Sequence, residues 1–351
     1  MLTIYVPKEK MPLVIGRIMD RAQVFAPVKE GDAHRFRLVN RPHHVDLTYQ
    51  NTRLSPKELM HPPAEAMFAY TLKKGDPKEG ILEEIPKALG PRVVWGIRPC
   101  DAKAFQLVDV NFITDQYVDP WWQKRRQSTV LVGLGCHEPC STCFCTSVGL
   151  GPFDRSALDV LMTECADGYL VEAVTEAGQA LLADVPDGEP ASEDHVSQAR
   201  SIAEKAEKSL PRLFLTDPLR DKATNELFNA AFWEEVQFAC INCGTCTFLC
   251  PTCWCFDIQD EVHRDEGVRV RLWDSCMFPL FTLHGSGHNP RNQKLQRVRQ
   301  RFMHKFKYYV DKYGNGPACV GCGRCVQYCP VNIDIRRVAS MMTASCVCPT
   351  T

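Results

Sequence analysis

Residues 240–255 read CINCGTCTFLCPTCWC, and residues 319–330 read CVGCGRCVQYCP. Both stretches contain the pattern C-x2-C-x2-C-x3-C-P with the same intervals. The first run comprises Cys240, Cys243, Cys246 and Cys250, and the second run comprises Cys319, Cys322, Cys325 and Cys329. An odd total of 19 cysteines, clustered in this way in a chain of 351 residues, argues against a disulfide framework. We therefore expect these thiols to bind metal.

The spacing of both runs is that of bacterial ferredoxins, in which thiolates hold 4Fe–4S cubanes. Three cysteines in a short curling loop bind one cubane, while the fourth has already turned into a helix and points to the neighbouring cluster. The proline that follows helps to end the loop because it has no N–H to donate. We predict a first cluster on Cys240, Cys243, Cys246 and Cys329, and a second cluster on Cys319, Cys322, Cys325 and Cys250. Structural zinc is the alternative, but it ordinarily uses two separated cysteine pairs.

Further cysteines lie outside this pattern. Cys253 and Cys255 follow the first run directly, and Cys276 lies further along the chain. Because eight thiols already satisfy two cubanes, we expect Cys253 and Cys255 to pack or hydrogen-bond near a cluster rather than bind it. Cys346 and Cys348 are interpreted as spare thiols of a C-terminal tail. The isolated Cys165 is expected to be a small buried residue.

A third group of thiols occurs in the N-terminal half, in the sequence GLGCHEPCSTCFCTSVGLGP. It contains Cys136, Cys140, Cys143 and Cys145, while Cys100 follows another predicted strand upstream. Loops at the ends of neighbouring strands converge in α/β folds, so Cys100 is expected to meet this group. A third 4Fe–4S cluster is the favoured interpretation, and structural zinc or unliganded redox-active thiols are the alternatives.

The rest of the chain predicts an α+β protein. We expect an N-terminal α/β domain over residues 1–220 and a mostly helical two-cluster ferredoxin-like domain over residues 221–351. Predicted strands cover residues 92–97, 128–134 and 168–174, and an amphipathic helix is predicted to begin near Ser192. A further helix is predicted to begin at Asp101, which is an acceptable N-cap residue.

Residues 291–312 hold eight Lys or Arg and one acid, Asp311. A helical apolar stripe runs through the same stretch and comprises Leu295, Val298, Phe302, Phe306 and Tyr309. We interpret the stretch as a helix with its stripe in the core and a solvated basic face. A docking surface for an acidic partner is the second interpretation, and nucleic-acid binding is disfavoured because no module signature accompanies the charge.

Composition excludes several classes of protein. The chain is 45% apolar and 24% charged, with 41 Lys and Arg against 42 Asp and Glu, which gives no bulk charge for nucleic acid or membrane. No stretch approaches the roughly 18 apolar residues of a membrane span, and the N-terminus does not resemble a signal peptide. We therefore expect a cytoplasmic, reducing location, where thiols are available for metal.

Several segments between residues 98 and 330 resemble an iron–sulfur subunit of known complexes. This family comprises the beta subunit of cytoplasmic sulfhydrogenase-type NiFe hydrogenases and the corresponding iron–sulfur subunit of anaerobic sulfite reductase. The segments are RPCDAKAF, CHEPCSTCFCTSVGLGP, CINCGTCTFLCPTCWCFDI, RLWDSCMF, GHNPRNQKLQRVRQRFMHKF and CVGCGRCVQYCP. The resemblance implies an α/β domain, a helical two-cluster domain, and a partner subunit that holds flavin and reacts with NAD(P)H. It also places the N-terminal motif on Cys100, Cys136, Cys143 and Cys145, which leaves Cys140 as an additional thiol.

Three functions are compatible with the sequence motifs. The chain has no G-x-x-x-x-G-K-[ST] loop, and GLGCHE at residues 133–138 lacks the third glycine of a dinucleotide fingerprint. The first hypothesis is an electron-transfer subunit that connects a catalytic metal subunit, of hydrogenase, sulfite reductase or heterodisulfide-reductase type, to a flavin subunit. The second is a thiol or disulfide redox enzyme that uses the N-terminal cysteines. A zinc-stabilised interaction protein is a third, and it would be colourless.

Overall fold

The computed structural model of the chain describes residues 2–183, 185 and 187–344. The strands in this range are β1 (Thr3–Pro7), β2 (Gln23–Glu30), β3 (Ala33–Leu38), β4 (Ala64–Thr71), β5 (Glu83–Glu84), β6 (Arg92–Ile97), β7 (Thr129–Leu134), β8 (Val160–Glu164), β9 (Gly168–Ala173), β10 (Glu189–Pro190), β11 (Phe256–His263) and β12 (Glu266–Trp273). The α-helices are α1 (Met11–Met19), α2 (Pro99–Phe112), α3 (Pro120–Gln127), α4 (Glu176–Ala183), α5 (Glu193–Lys208), α6 (Pro218–Asp221), α7 (Thr224–Phe228), α8 (Phe232–Phe238), α9 (Thr245–Phe248), α10 (Lys294–Met303), α11 (Tyr309–Tyr313), α12 (Arg324–Gln327) and α13 (Ile335–Ala344). This mixture of helix and strand agrees with the predicted α+β class.

An eight-stranded sheet with the order β10-β1-β9-β8-β7-β6-β2-β3 forms the larger core. The pairs β2/β6, β6/β7 and β7/β8 are parallel, and the remaining neighbours are antiparallel. Strands β6, β7 and β9 confirm the three predicted from apolar runs. Every residue of β6 is buried, as expected of a strand covered on both faces. The loops after β6, β7 and β8 lie together at the carboxyl ends of parallel strands, where α/β sheets place their functional groups.

The helix after β6 begins earlier than the sequence indicates. Its N-cap is Arg98 and Pro99 occupies the first turn, so the prediction of Asp101 as N-cap is wrong. The fixed φ of proline suits that first position. Asp101 lies inside the helix and is completely buried, and its carboxylate binds a distant arginine described below. By contrast, α5 begins as predicted, because the Ser192 side chain accepts a hydrogen bond from the N–H of His195.

A four-stranded sheet with the order β11-β12-β4-β5 joins the two halves of the chain. Its hairpin β11–β12 lies between the two cysteine runs, in a region that we expected to be helical. Strand β12 pairs with β4 in antiparallel fashion from Glu266↔Thr71 to Leu272↔Ala64. The buried Arg271 reinforces this junction, since it donates to Glu65 at 2.6 Å and to Asp119 at 2.5 Å. A domain boundary near residue 220 stays a prediction, although this sheet contains strands from both sides of it.

The basic stretch forms α10, a π-helical turn at His304–Tyr308, and α11. Val298, Phe302, Phe306 and Tyr309 are buried and Leu295 is partly buried against the same core, which confirms the predicted stripe. A fully solvated basic face is wrong, because four of the eight cations are also buried: Arg297, Arg301, Lys305 and Lys307. Within the described range, no helix combines the length and apolar character that crossing a bilayer requires.

Candidate iron–sulfur sites

The two cysteine runs adopt the same local backbone. In each, a loop carries the first two cysteines and leads into a single helical turn, α9 or α12, which carries the third. The second residue after the first cysteine has positive φ in both runs, 54° at Asn242 and 64° at Gly321. The fourth cysteine lies just past the end of the short helix rather than within it, as Cys250 and Cys329 both show. The shared backbone therefore presents the fourth thiol separately from the first three.

The first cavity brings together cysteines from both runs. It is lined by Cys240, Cys243, Cys246, Cys325 and Cys329. Cys329 of the second run thus lines the same cavity as the first three cysteines of the first run. Cys243 is exposed, while Cys240 and Cys246 are partly buried. Burial raises the pKa of both Cys240 and Cys246.

The first three cysteines of the second run interact instead with Cys250, the fourth cysteine of the first run. Cys319, Cys322 and Cys325 each interact electrostatically with Cys250. Burial raises the pKa values of Cys319 and Cys322 to about 12. A hydrogen bond from Cys253, opposed by burial and supported by nearby Lys305, lowers the pKa of Cys250. Exchange of fourth cysteines between the runs is therefore compatible with both groups of contacts.

A separate cavity, at the carboxyl ends of β6 and β7, gathers the N-terminal thiols. It is lined by Cys100, Cys136, Cys140, Cys143, Cys145 and Cys322. Cys100 thus reaches the same cavity as the other N-terminal cysteines. A hydrogen bond from Cys143, opposed by burial and favoured by nearby Arg98 and Arg324, lowers the pKa of Cys140 to about 6. Burial raises the pKa of Cys145 to about 12.

The second run packs directly against the N-terminal cysteine loop. The N–H of Phe144 donates to the carbonyl oxygen of Gly321 at 2.8 Å, and the carbonyl of Cys322 accepts from Asn51 Nδ2 at 3.1 Å. A Cβ on Gly321 would lie 2.5 Å from both Cα and N of Cys145, and one on Gly323 would lie 2.4 Å from Thr142 Oγ1. Glycine is needed at these positions because the two backbones leave no room for a side chain.

A buried ion pair fixes the same junction. Arg324 donates from Nη1 and Nη2 to the two oxygens of Asp101 at 2.7 Å each, and from Nε to the carbonyl of Thr52 at 2.8 Å. The side chains of Arg324 and Asp101 are 0% and 1% exposed to solvent. Each residue is adjacent to a candidate ligand, since Asp101 follows Cys100 and Arg324 precedes Cys325. The bidentate pair therefore sets the position of one thiol group relative to the other.

Two buried cations lie beside the cysteines of the runs. Arg301 lines the first cavity, and its Nε and Nη2 have no hydrogen-bond partner among the described residues. Lys305 donates to Thr252 Oγ1 at 2.9 Å, and Thr252 Oγ1 lies 3.3 Å from Cys250 Sγ. A buried guanidinium with orphaned nitrogens suits a site for an anionic group. The thiol donors and these cations together fit iron–sulfur clusters, whose thiolate ligands carry negative charge.

The remaining cysteines lie near these groups with different surroundings. Cys253, Cys255 and Cys276 line a cavity with Arg301 and Lys305, and hydrogen bonds link Cys255 to Cys276. Cys165 is buried and donates to the carbonyl of Thr163, in keeping with its predicted packing role. Cys346 and Cys348 lie outside the described residues.

All seventeen cysteines of the described range are free of disulfides. In the same range, no three His, Cys, Asp or Glu side chains converge closely enough to hold a single metal ion. The four thiolates of a cubane bind four different irons, so the relevant observation for such a cluster is a set of cysteines around one cavity.

Comparison with known proteins defines the class of this site. Residues 239–333 match the family described as 4Fe-4S dicluster domain, which contains both cysteine runs and the hairpin between them. The match supports an iron–sulfur protein, as the cysteine cavities and buried cations do. Over 328 residues the chain is 30% identical to Sulfhydrogenase 2 subunit beta of Pyrococcus furiosus, which covers 93% of this chain and 94% of that protein. The chain therefore belongs to the sulfhydrogenase beta-subunit family. No solved structure matches it.

Sequence reasoning missed the charged residues around the thiols, namely Asp101, Arg301, Lys305 and Arg324. One signal was available for two of them: residues 275–310 contain no Asp or Glu, so Arg301 and Lys305 have no nearby carboxylate in sequence. No comparable signal exists for the pair Asp101–Arg324, because its members are 223 positions apart. The assignment of individual cysteines to clusters stays a prediction.

Proposed function

We propose that this chain is the electron-transfer subunit of a hydrogenase-type oxidoreductase complex and relays single electrons through three 4Fe–4S clusters. The main support for this proposal is that the second run borders both the first run and the N-terminal cysteines. Cys325 lines the cavity of the first cluster, and Cys322 lines that of the N-terminal thiols. The order along the relay is then first cluster, second cluster and N-terminal cluster. The relative, which is a sulfhydrogenase beta subunit, supports the hydrogenase type over the sulfite reductase and heterodisulfide-reductase types.

Each cluster has four thiol ligands in this proposal. The first cluster uses Cys240, Cys243, Cys246 and Cys329, and the second uses Cys319, Cys322, Cys325 and Cys250. The third uses Cys100, Cys136, Cys143 and Cys145, with Cys140 nearby as an additional thiol. When bound, the clusters supply one-electron redox chemistry. The protein excludes water from the second cluster, holds the thiol groups in register, and supplies buried positive charge.

The exchange of fourth cysteines can be tested with one substitution. Cys329→Ser is expected to damage the cluster of Cys240, Cys243 and Cys246, because Cys329 lines that cavity. The spectroscopic signals of the second cluster should persist in the soluble, anaerobically purified variant. Loss of the second cluster with the first intact would refute the exchange. Cys165→Ser is the matched control. This buried cysteine follows β8 of the eight-stranded sheet, and its substitution should leave every cluster in place.

A partner contact is expected where the relay reaches the surface beside the first cluster. Exposed apolar side chains lie on the segment of Cys243 and on the loop after Met277: Phe238 is 82% exposed, Ile241 is 61% exposed and Leu280 is 71% exposed. Asn242 Nδ2 donates to the carbonyl of Met277 at 3.0 Å, which joins the two loops that carry them. Neither residues 236–256 nor residues 275–310 contain an acid. The surface therefore suits a redox partner with an apolar centre and an acidic rim.

The complex is proposed to contain a flavin subunit that reacts with NAD(P)H and a catalytic metal subunit. A flavin is needed because pyridine nucleotides transfer hydride, a two-electron donor, whereas each cluster accepts one electron. Free thiols throughout the described range are typical of a reducing compartment, which supports a cytoplasmic location.

Cluster reduction in the isolated chain and in the native complex tests the relay. Dithionite should bleach the cluster absorption of the isolated chain, whereas NADH and NADPH should not. In the complex purified with its flavin subunit, NADH or NADPH should bleach the same absorption. Stoichiometric flavin on the isolated chain, with NAD(P)H-driven dye reduction, would contradict the proposal.

A thiol or disulfide redox enzyme is the second candidate, and the N-terminal cysteines favour it through one observation. Cys140 is hydrogen-bonded to Cys143, and that contact lowers its pKa to about 6, as expected of a reactive thiol. Metal content separates the two functions, since a filled N-terminal cluster supports the relay. Free N-terminal thiols that react rapidly with a maleimide in anaerobically purified protein would support the enzyme.

A further inference from the structure

Arg301 and Lys305 are buried cations without carboxylate partners in the described part of the chain. Their exposed fractions are 4% and 3%. Lys305 donates to two neutral groups, Thr252 Oγ1 and the carbonyl of Ala318, at 2.9 and 3.1 Å. Two nitrogens of Arg301 have no hydrogen-bond partner at all in that range. Burial of an uncompensated charge is strongly unfavourable, so both positions need a negative counter-charge.

A neighbouring lysine shows how this protein compensates a buried cation by ordinary means. Lys307 is 2% exposed and lies two residues from Lys305. It pairs with Asp311 at 2.8 Å and donates to the carbonyls of Leu219 and Arg220 at 3.1 Å each. The same segment therefore contains one buried lysine with a carboxylate and another without one.

The cysteines surround the two uncompensated cations, and they become negative groups when they bind a cluster as thiolates. Lys305 is linked to the second cluster's proposed ligands on two sides, through Thr252 to Cys250 and through Ala318, the residue before Cys319. Arg301 lines the cavity of the first cluster and interacts electrostatically with Cys246, and it also hydrogen-bonds Cys325, a proposed ligand of the second cluster that lines the same cavity. The thiolates outweigh the effect of burial, which alone would lower the pKa of Lys305, and raise that pKa above its ordinary value.

We infer that Arg301 and Lys305 are the counter-charges of the first and second clusters and set their reduction potentials. This inference rests on the proposed relay, and it assigns these positioning residues to particular clusters. A cluster gains negative charge when it accepts an electron, so a buried cation beside it stabilises the reduced state. Net charge and hydrogen bonding around the sulfurs are known determinants of cluster potential.

Removal of either charge is expected to lower one potential more than the other. Lys305→Met should lower the midpoint potential of the second cluster, and Arg301→Gln should lower mainly that of the first. The expected size is at least roughly tenfold in the reduction equilibrium, which is about 59 mV for a one-electron couple. Lys305→Arg retains the charge and should keep the potential near that of the unchanged chain.

A redox titration monitored by electron paramagnetic resonance on the full, anaerobically loaded chain measures these potentials. Lys307→Met is the matched buried control and should move neither potential, because its counter-charge is Asp311. Arg299→Gln is a second control on the same helix, since Arg299 is partly exposed and donates to the carbonyl of Phe228. Lys305→Gln replaces Lys305→Met if the latter does not accumulate as soluble protein.

The outcomes separate this inference from the proposed function. Clusters that assemble but keep unchanged potentials in both Arg301→Gln and the Lys305 variant would overturn the inference alone. An equal shift in Lys307→Met would also overturn it, because a general loss of packing would then explain the result. If the protein without substitutions contains no iron or acid-labile sulfide, both the relay and the inference are overturned.

Discussion

The two cysteine runs share spacing and backbone but not surroundings. In the first run Cys243 is exposed, whereas Cys319 and Cys322 of the second run are buried. At the equivalent loop position the first run has Asn242 and the second has Gly321, both with positive φ. Asparagine tolerates that conformation, so the backbone alone does not demand glycine in the second run. Contact with the N-terminal cysteine loop does demand it, because a Cβ on Gly321 would meet the backbone of Cys145.

Exchange of these two residues tests the comparison most severely. Gly321→Asn retains an allowed backbone, but its Cβ meets the backbone of Cys145 at 2.5 Å, so the two loops must separate. We expect loss of the N-terminal cluster, with iron falling from about twelve to about eight per chain. Asn242→Gly is the matched control and should retain all the iron, because glycine adopts positive φ freely and only the hydrogen bond to Met277 is lost, at a cost of about 0.5–1.5 kcal/mol. Full iron content in Gly321→Asn would show that the contact is not needed for the N-terminal site.

Loss of the buried ion pair should weaken the same junction without a steric clash. Asp101→Asn leaves Arg324 buried beside a neutral partner, and we expect a loss of about 3–5 kcal/mol in stability. Anaerobic denaturant titration of the loaded protein measures this change. Glu235→Gln provides the control, because its ion pair with Arg337 is exposed and should contribute less than about 1 kcal/mol. Equal effects of the two substitutions would contradict a special role for the Asp101–Arg324 pair.

The sequence predicts local secondary structure well, but it does not predict tertiary contacts between distant residues. Cysteine spacing predicts the two similar loops, and apolar periodicity predicts β6, β7, β9, α5 and the stripe of α10. Asp101 resembles an N-cap in sequence, but Arg324 lies 223 positions away and competes for its carboxylate. The role of Gly321 is equally hidden, since Cys145 is distant in sequence.

The unpredicted hairpin has a sequence signal in both of its strands. Strand β11 alternates weakly, with Phe256, Ile258 and Val262 interrupted by Asp260, although it is exposed along nearly its whole length. Strand β12 does alternate, with Val268, Val270 and Leu272 between arginines, and this pattern was available. The cations of α10 resemble a solvated face because periodicity shows which residues share a helix face, not what covers that face.

The first run is attached to the N-terminal half through the second sheet, and that attachment should be sensitive to pH. His61 packs there between Phe112, Phe256 and Trp273. Burial, assisted by nearby Arg271, Lys57 and Arg125, lowers its pKa from 6.5 to about 3. Between these values the unfolded chain binds a proton that the folded chain does not, so stability falls as the pH falls below 6.5.

The expected loss between pH 6.5 and pH 5 is about 1.6 kcal/mol from this group. His61→Leu removes the titrating ring and should flatten this part of the stability profile, measured by denaturant titration at each pH. A variant with the same slope as the unchanged chain would show that another group is responsible.

Iron and acid-labile sulfide content tests the central claim most directly. Three cubanes require about twelve irons and about twelve sulfides per chain in anaerobically purified protein. That result is expected if the second run connects the surface cluster to an N-terminal cluster. Eight irons and eight sulfides, with the N-terminal cysteines free, would contradict the three-cluster relay.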